Sequence, residues 1–273
     1  MIKNIIIGKS SSITKSICKY LKNTYIFSAN EITKENFQKQ IKKYKKINLI
    51  FNNFYPSKNL NSLSSNNYKK FCELSLEKIA IVFEKTPSSI INKIIYTSSA
   101  SIYRISESIN NPKSDKLNRE LYSSFKLAAE KMILNFSINK KKKYFIMRLF
   151  NTYGDTTDKF SFIENVINAK KNNKKISLIN NGNSVRDFIH LKDVGKVFKI
   201  IIHKKVNSGI YDLGTGEGYL IKDVIDFLNF PKSKIKNVNN IDEIHNSIAQ
   251  NKNLIKALNN YKFFKLNKYL QQK

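Results

Sequence analysis

The 273-residue chain has no tryptophan, two cysteines, three histidines, four prolines and eight glycines. Cys18 and Cys72 form no CxxC pair and no multi-cysteine framework, which excludes a disulfide scaffold and a cysteine-rich zinc site. His190, His203 and His245 lack ligand spacing, so no metal site is expected. No apolar run approaches the length of a membrane span, and the opening "MIKNIIIGKSSS" is too short and too polar for a signal peptide. A cytoplasmic protein without a membrane partner is therefore expected. Scarce proline excludes a long stiff linker. Acid is scarce too: 20 Asp and Glu stand against 49 Lys and Arg, for a net charge of +29. Only Arg104, Arg119, Arg148 and Arg186 are arginine. Apart from "NKKKKY" at 139–144 the lysines are spread over nearly every segment, not gathered into the patch that a specific nucleic-acid surface needs. What this charge does predict is a general attraction for phosphorylated small molecules.

What is present is apolar and periodic. With 41% hydrophobic residues, 18 Phe and 14 Tyr, the chain can bury a large core despite a mean hydropathy of −0.41. The run 4–8 ("NIIIG") predicts a buried strand, and 12–23 predicts a helix with Ile13, Ile17 and Leu21 on one face. Strands at 24–27 and 47–51, a helix at 34–44, a helical region over about 65–86, strands at 93–99 and 144–150 and a helix around Tyr122 continue the rhythm. Continuous apolar strands alternating with helices imply an α/β, doubly wound parallel sheet covered on both faces. After Asn151 the rhythm changes to a helix near 160–171, a short strand "KISLI", the run "SVRDFIHLKDVGKVFKIII", "GIYDLGTGEGYLIKDVIDFL" and a Lys/Asn-rich tail. The expected division is a sheet domain over 1–150 and 187–213 and a smaller intermingled substrate-binding region over 151–186 and 214–273.

In such a sheet the first strand–helix turn is where a pyrophosphate meets backbone amides and the helix dipole. Here that turn reads "GKSSSIT". Against G-x-x-G-x-x-G it supplies Gly8, Ser11 and Thr14, so one glycine remains, and Thr14 is expected to obstruct close helix packing. A P-loop is excluded, because position 3 is Lys3 where that motif needs glycine. After the second strand "FSANEIT" offers Asn30 and Glu31 but no plainly placed acid, which leaves NAD and NADP both open.

In "NRELYSSFKLAAEKMI", Tyr122 and Lys126 stand four apart on a helix, hence on one face. An ammonium near a phenol favours the phenolate and makes tyrosine usable in acid/base chemistry. The strand upstream ends in "YTSSASIY", which puts serines at the carboxyl edge of the sheet.

The series "YTSSASIYR", "YSSFKLAAEK", "MRLFNTYG", "VRDFIHLKDV" and "GIYDLGTGEG" resembles, in order and rough spacing, the extended short-chain dehydrogenase/reductase family, and within it the nucleotide-sugar epimerases and dehydratases. The resemblance implies a Rossmann-type fold and NAD or NADP as cofactor. It implies a proton-exchanging Tyr122, a Lys126 that binds the cofactor ribose and lowers the tyrosine pKa, and Ser99 as the hydroxyl that hydrogen-bonds the reacting oxygen. Gly8, Ser11, Ser12, Ile13, Asn52 and Lys126 are the implied cofactor contacts. Ser99, Tyr122, Asn151 and Arg186 are the implied contacts of a nucleotide-sugar substrate, with Arg186 on its diphosphate. Each has a plainer alternative: a strand-end cap for Ser99, a turn for Asn151, an ion pair with Asp187 for Arg186. "GTGEG" is expected as a tight turn into a helix, without chemistry. Relatives pair through the helix bearing the tyrosine, which implies a homodimer.

The departures are informative. Asn52, Asn53 and Tyr55 stand where the family commonly has alanines, and Arg104 where a glycine usually follows the tyrosine. The acidic pair that follows the Ser/Thr in 4,6-dehydratases is replaced by Ala100 and Ser101. Dehydration is thereby disfavoured, leaving epimerisation first, reduction of a keto-sugar second, and a binding or regulatory protein without turnover third.

Overall fold

The computed structural model describes residues 2–104, 114–155, 161–239 and 243–273. The elements run β1 (Lys3–Ile7), α1 (Ser12–Tyr20), β2 (Thr24–Phe27), α2 (Glu35–Ile41), β3 (Ile47–Phe51), α3 (Tyr68–Cys72), α4 (Lys78–Lys85), β4 (Ile91–Ser99), α5 (Ser114–Asn139), β5 (Lys143–Leu149) and β6 (Asn151–Tyr153). There follow α6 (Phe162–Lys171), β7 (Ile176–Ile179), β8 (Val185–His190), α7 (Leu191–His203), β9 (Gly209–Leu213), β10 (Gly218–Leu220), α8 (Ile221–Phe227), β11 (Ile235–Val238), β12 (Asn246–Ser247), α9 (Lys252–Ala257) and α10 (Leu266–Leu270). The helical region expected over 65–86 is broken by a π-helical turn, Glu73–Glu77, between α3 and α4. Two compact units emerge, Met1–Arg148 with Gly195–Tyr211, and Leu149–Val194 with Asp212–Lys273.

The first unit is built on a six-stranded sheet in the order β2-β1-β3-β4-β5-β9. β1 runs parallel to β2 and β3, and β3 parallel to β4. This is the 2-1-3-4-5 form of a doubly wound sheet, in which the order reverses between β1 and β3, the point beyond whose carboxyl ends such sheets generally bind ligands. Ile5, Ile7, Phe27, Leu49, Phe51, Ile94 and Tyr96 meet Phe37 and Ile41 of α2, Ile79 and Val82 of α4, and Ala129 and Ile133 of α5 in one cluster. Ile6, Ile50 and Ile95 alternate to the opposite face and are also fully buried. Burial on both faces explains why these strands read as unbroken apolar runs, each Ile or Phe contributing about 1.5–3 kcal/mol. Gly195 brings α7 against α1, since a Cβ there would lie 2.7 Å from the Ser16 carbonyl oxygen and 2.6 Å from the Tyr20 ring.

At the amino ends of the strands, polar side chains are buried in pairs. The Asn48 amide donates to Asn4 Oδ1 (2.8 Å), the Asn92 amide donates to Asn48 Oδ1 (2.9 Å), and the Asn4 amide donates to the Lys22 carbonyl (3.1 Å). Lys93 closes α7, its Nζ donating to the carbonyls of Ile201, Ile202 and Lys204 at 2.6, 2.8 and 3.2 Å.

The second unit centres on β8, which pairs with β10, β12 and β6, while β7 pairs with β11. Its core joins Tyr153, Ile163, Val166, Phe188, Val224, Ile225, Leu266 and Leu270. The Lys/Asn-rich tail, unassigned from periodicity, supplies β11, β12, α9 and α10. The "GTGEG" turn leads into β10 before α8, and it is fixed by Asp187 of β8. That buried carboxylate accepts from the Thr215 amide and hydroxyl, the Gly216 amide and the Ala249 amide.

Candidate active site

β4 delivers Thr97, Ser98 and Ser99 to the carboxyl edge of the sheet, and α5 packs along that strand. Ser99 is its last residue, and its Oγ accepts from the Ser101 amide at 3.1 Å as the chain enters the helical turn Ala100–Arg104. Tyr122 and Lys126 sit on α5, one turn apart. Lys126 is buried, donates from Nζ to the Thr97 carbonyl at 2.9 Å, and lies 4.1, 4.9 and 5.9 Å from the ring centroids of Phe54, Tyr96 and Tyr122. Phe54 also meets Tyr122 edge-on, with centroids 5.1 Å apart.

From Thr97 a buried polar run crosses three strands. Its hydroxyl donates to Asn52 Oδ1 in a short hydrogen bond, the Asn52 amide donates to Thr14 Oγ1 (3.1 Å), and the Thr14 hydroxyl donates to the Gly8 carbonyl (2.7 Å). Thr14 therefore does not obstruct the packing of α1 as expected: it is buried and spends its hydroxyl on tying the helix to the turn. Gly8 has φ +120°, and a Cβ on it would stand 2.7 Å from the Asn52 carbonyl carbon. Ser11 is the N-cap of α1, with Oγ accepting from the Ile13 amide at 3.2 Å. Past β2, the Glu31 carboxylate accepts from the Ser28 amide at 2.6 Å.

The expected lowering of the tyrosine pKa is not found in this arrangement. Burial pushes the Tyr122 phenol up, and the lysine moves instead: burial pulls Lys126 down to about 7, opposed by the Glu130 carboxylate. Glu130, one turn beyond Lys126, is itself buried. Ser98 Oγ and Arg148 Nε donate to its Oε1, and Arg148 Nη2 donates to Oε2 at 2.8 Å. Arg148 also donates to the Tyr103 hydroxyl at 3.0 Å and stacks on that ring. Sequence reasoning passed over Thr97, Glu130, Arg148 and Phe54. Only Glu130 had a visible signal, four residues after Lys126.

In the second unit, Asn151 opens β6 and its amide donates to the Asp187 carbonyl at 3.0 Å. Arg186 is buried; it pairs with Glu243, not Asp187, and donates to the carbonyls of Val185 and Ile244 at 2.8 Å each. Among the described residues no group of His, Cys, Asp and Glu could hold a metal ion, and no helix is long and apolar enough to cross a membrane.

The fold is shared with solved enzymes. The UDP-glucuronic acid 4-epimerase from Bacillus cereus, in complex with UDP-glucuronic acid and NAD, superposes with a TM-score of 0.79 at 16% identity, covering 99% of this chain and 97% of that one. The dTDP-glucose 4,6-dehydratase from Bacillus anthracis, in complex with NAD, gives 0.76 at 15% identity, covering 100% and 95%. In sequence, the dTDP-D-glucose 4,6-dehydratase of Dictyostelium discoideum is 27% identical over 158 residues, 54% of this chain and 36% of that protein. The human dTDP-D-glucose 4,6-dehydratase is 23% identical over 229 residues, 82% of this chain and 65% of that protein. In both, the match covers less than two thirds of the relative's own length. The sequence model of the NAD dependent epimerase/dehydratase family takes in β3, β4, α5 and the Ser99, Tyr122 and Lys126 they carry; it matches residues 32–214, well over half of the chain, and the chain belongs to that family.

Proposed function

We propose that this chain is a nicotinamide-dependent epimerase of nucleotide sugars in which Tyr122 exchanges a proton with the sugar, Lys126 is its electrostatic partner and Ser99 orients the reacting oxygen. The observation that carries this reading is the setting of Lys126. Its amine is withdrawn from water among three aromatic rings, anchored on the Thr97 carbonyl at the sheet's carboxyl edge, one turn from a phenol. Burying an amine in this way is costly, and such perturbed groups cluster where chemistry is done.

The residues present fit a nicotinamide dinucleotide. At the switch point, Gly8 lets the first turn pass against the Asn52 backbone, where a Cβ would collide, and leads into the start of α1, where backbone amides and the helix dipole favour a pyrophosphate. Gly8, Ser11, Ser12 and Ile13 would hold that group, with Asn52 and Lys126 on the ribose side, once the Phe54 ring leaves the amine. Glu31 just past β2 suits ribose hydroxyls better than a 2′-phosphate, which favours NAD over NADP. When bound, the dinucleotide supplies the hydride acceptor. As a phenolate Tyr122 takes the proton of a sugar hydroxyl, and as the resulting phenol it returns that proton to the carbonyl; the Lys126 ammonium offsets the phenolate charge before the first event and after the second. Asn151 and Arg186 are assigned to the nucleotide, with Arg186 exchanging Glu243 for the diphosphate. A pair of chains joined through α5 is part of the same reading.

Ala100 and Ser101 offer no carboxylate after Ser99, so water elimination lacks its acid and hydride transfer alone remains. Following absorbance at 340 nm during turnover of candidate sugar nucleotides separates epimerase from keto-sugar reductase. An epimerase needs no added NADPH, and sustained NADPH loss ends the epimerase reading. One observation favours a protein that binds without turnover: the Phe54 ring already covers Lys126. Fluorescence titration that finds binding of neither NAD(H) nor NADP(H) would favour that alternative over the enzyme.

A further inference from the structure

We propose that Glu130 is a positioning residue for the Tyr122/Lys126 pair: held rigid by Ser98 and Arg148, its carboxylate supplies the buried counter-charge that keeps the Lys126 amine in its ammonium form beside Thr97. This rests on the reading of that pair as catalytic, and it extends that reading to a residue to which the sequence assigned no role.

Four observations converge. Glu130 follows Lys126 by four residues on α5, which puts the two on one face about 6 Å apart. Its carboxylate is 1% exposed, so its charge is not screened by water. Both oxygens are fixed: Ser98 and Arg148 Nε donate to one and Arg148 Nη2 to the other, the two-pronged arrangement that immobilises a carboxylate. Ser98 directly follows Thr97, whose carbonyl receives the Lys126 amine, so one strand end positions both partners.

The surroundings of the amine make a counter-charge necessary. Lys126 faces Thr97 and Tyr96 from β4, Phe54 from the segment after β3, and Tyr122 and Glu130 from its own helix. Of these only Glu130 is a carboxylate. Glu130 in turn faces Ser98 and Tyr96 from β4, Arg148 from β5 and Lys126 from α5. Burial alone drives the amine toward its neutral form, and a neutral amine cannot offset a phenolate. The Arg148 guanidinium holds the Glu130 carboxylate ionised and offsets part of its field, and the remainder still favours the charged form of Lys126.

The test reads Lys126 directly in the whole chain, without substrate. Lysine labelled with 13C at Cε is followed by NMR from pH 5 to 11, and the Lys126 signal is assigned by its absence in Lys126→Arg. In Glu130→Gln the titration midpoint is expected to fall by about 1–2 pH units, while Glu130→Asp restores it toward the wild-type value. A folded Glu130→Gln protein with an unchanged midpoint overturns the proposal. Should that variant fail to fold, Glu130→Gln/Arg148→Met removes both buried charges together and is held to the same outcomes. Since no turnover is involved, a protein that passes this test yet converts no nucleotide sugar refutes the proposed function and leaves the role of Glu130 standing.

Discussion

Two polar runs cross the same three strands at opposite edges of the sheet. At the amino edge Asn4, Asn48 and Asn92 satisfy one another and end on the Lys22 carbonyl. At the carboxyl edge Thr14, Asn52 and Thr97 link the first turn to Lys126, and Glu130 and Arg148 stand beside it. Both solve one problem: buried polar atoms must be partnered. They differ in what they end on. The amino-edge run is neutral throughout and insensitive to pH, so it can only hold strands in register. The carboxyl-edge run ends on a group that gains or loses a proton near neutrality, and it opens where the strand order reverses. Location and ionisability together, not polarity, separate a site from a fastening.

Substitutions at the two edges should therefore fail in different ways. The largest effect expected is on turnover in Tyr122→Phe, a loss of about 10²–10⁴-fold with an unchanged melting temperature, measured as sugar-nucleotide conversion. Retained turnover would remove the phenol from the reaction. At the other edge, Asn48→Leu strands the Asn4 oxygen and the Asn92 amide and should cost about 1–3 kcal/mol in denaturant melts, with dinucleotide affinity unaltered. A parallel loss of affinity would show that the edges are coupled.

Next is a pH-dependent difference in stability between the wild type and Lys126→Met. Lys126 ionises near 7 when folded, below the value of about 10.4 in an unfolded chain, so the unfolded state binds more protons between those limits. The burial penalty is fully present below pH 7 and is relieved as pH rises toward 10. Wild type should gain stability relative to Lys126→Met from pH 7 to 10 in thermal melts; a flat difference would place the amine in water. The smallest effect expected is in Phe54→Ala. Removing a ring that competes for the amine, worth about 1–2 kcal/mol, should tighten dinucleotide binding about fivefold or more by fluorescence titration. Weaker binding would mean that Phe54 is part of the cofactor's seat.

The doubly wound sheet was legible because both its faces are buried, which writes each strand as a continuous apolar run. The placement of Tyr122 and Lys126 on one helix was legible through their spacing, and that of Ser99 at a strand end through the apolar run before it. Thr97 and Asn52 were harder to read, since their work is done by a carbonyl and an amide whose partners lie 29 and 38 residues away in the chain. Arg148 looked like one cation in a very basic chain until β5 set it against Glu130. Thr14 misled because size was weighed without the hydroxyl. The tail was opaque for a different reason: its short strands take their register from β7 and β8, not from any pattern of their own.

The shortage of glycine has a counterpart in the turns. Among the described residues Asn23, Asn173, Asn180, Asn181, Asn229, Asn259 and Asn260 all adopt left-handed backbone, with φ between 47° and 58°. Asparagine tolerates that basin better than other side-chain-bearing residues, so a glycine-poor chain can still reverse direction at these corners. Gly8 lies outside the bargain. Its φ of +120° is beyond the basin asparagine occupies, and the Asn52 backbone leaves no room for a Cβ. The one fingerprint glycine that survives is thus the one for which the chain's usual stand-in has no conformation to offer.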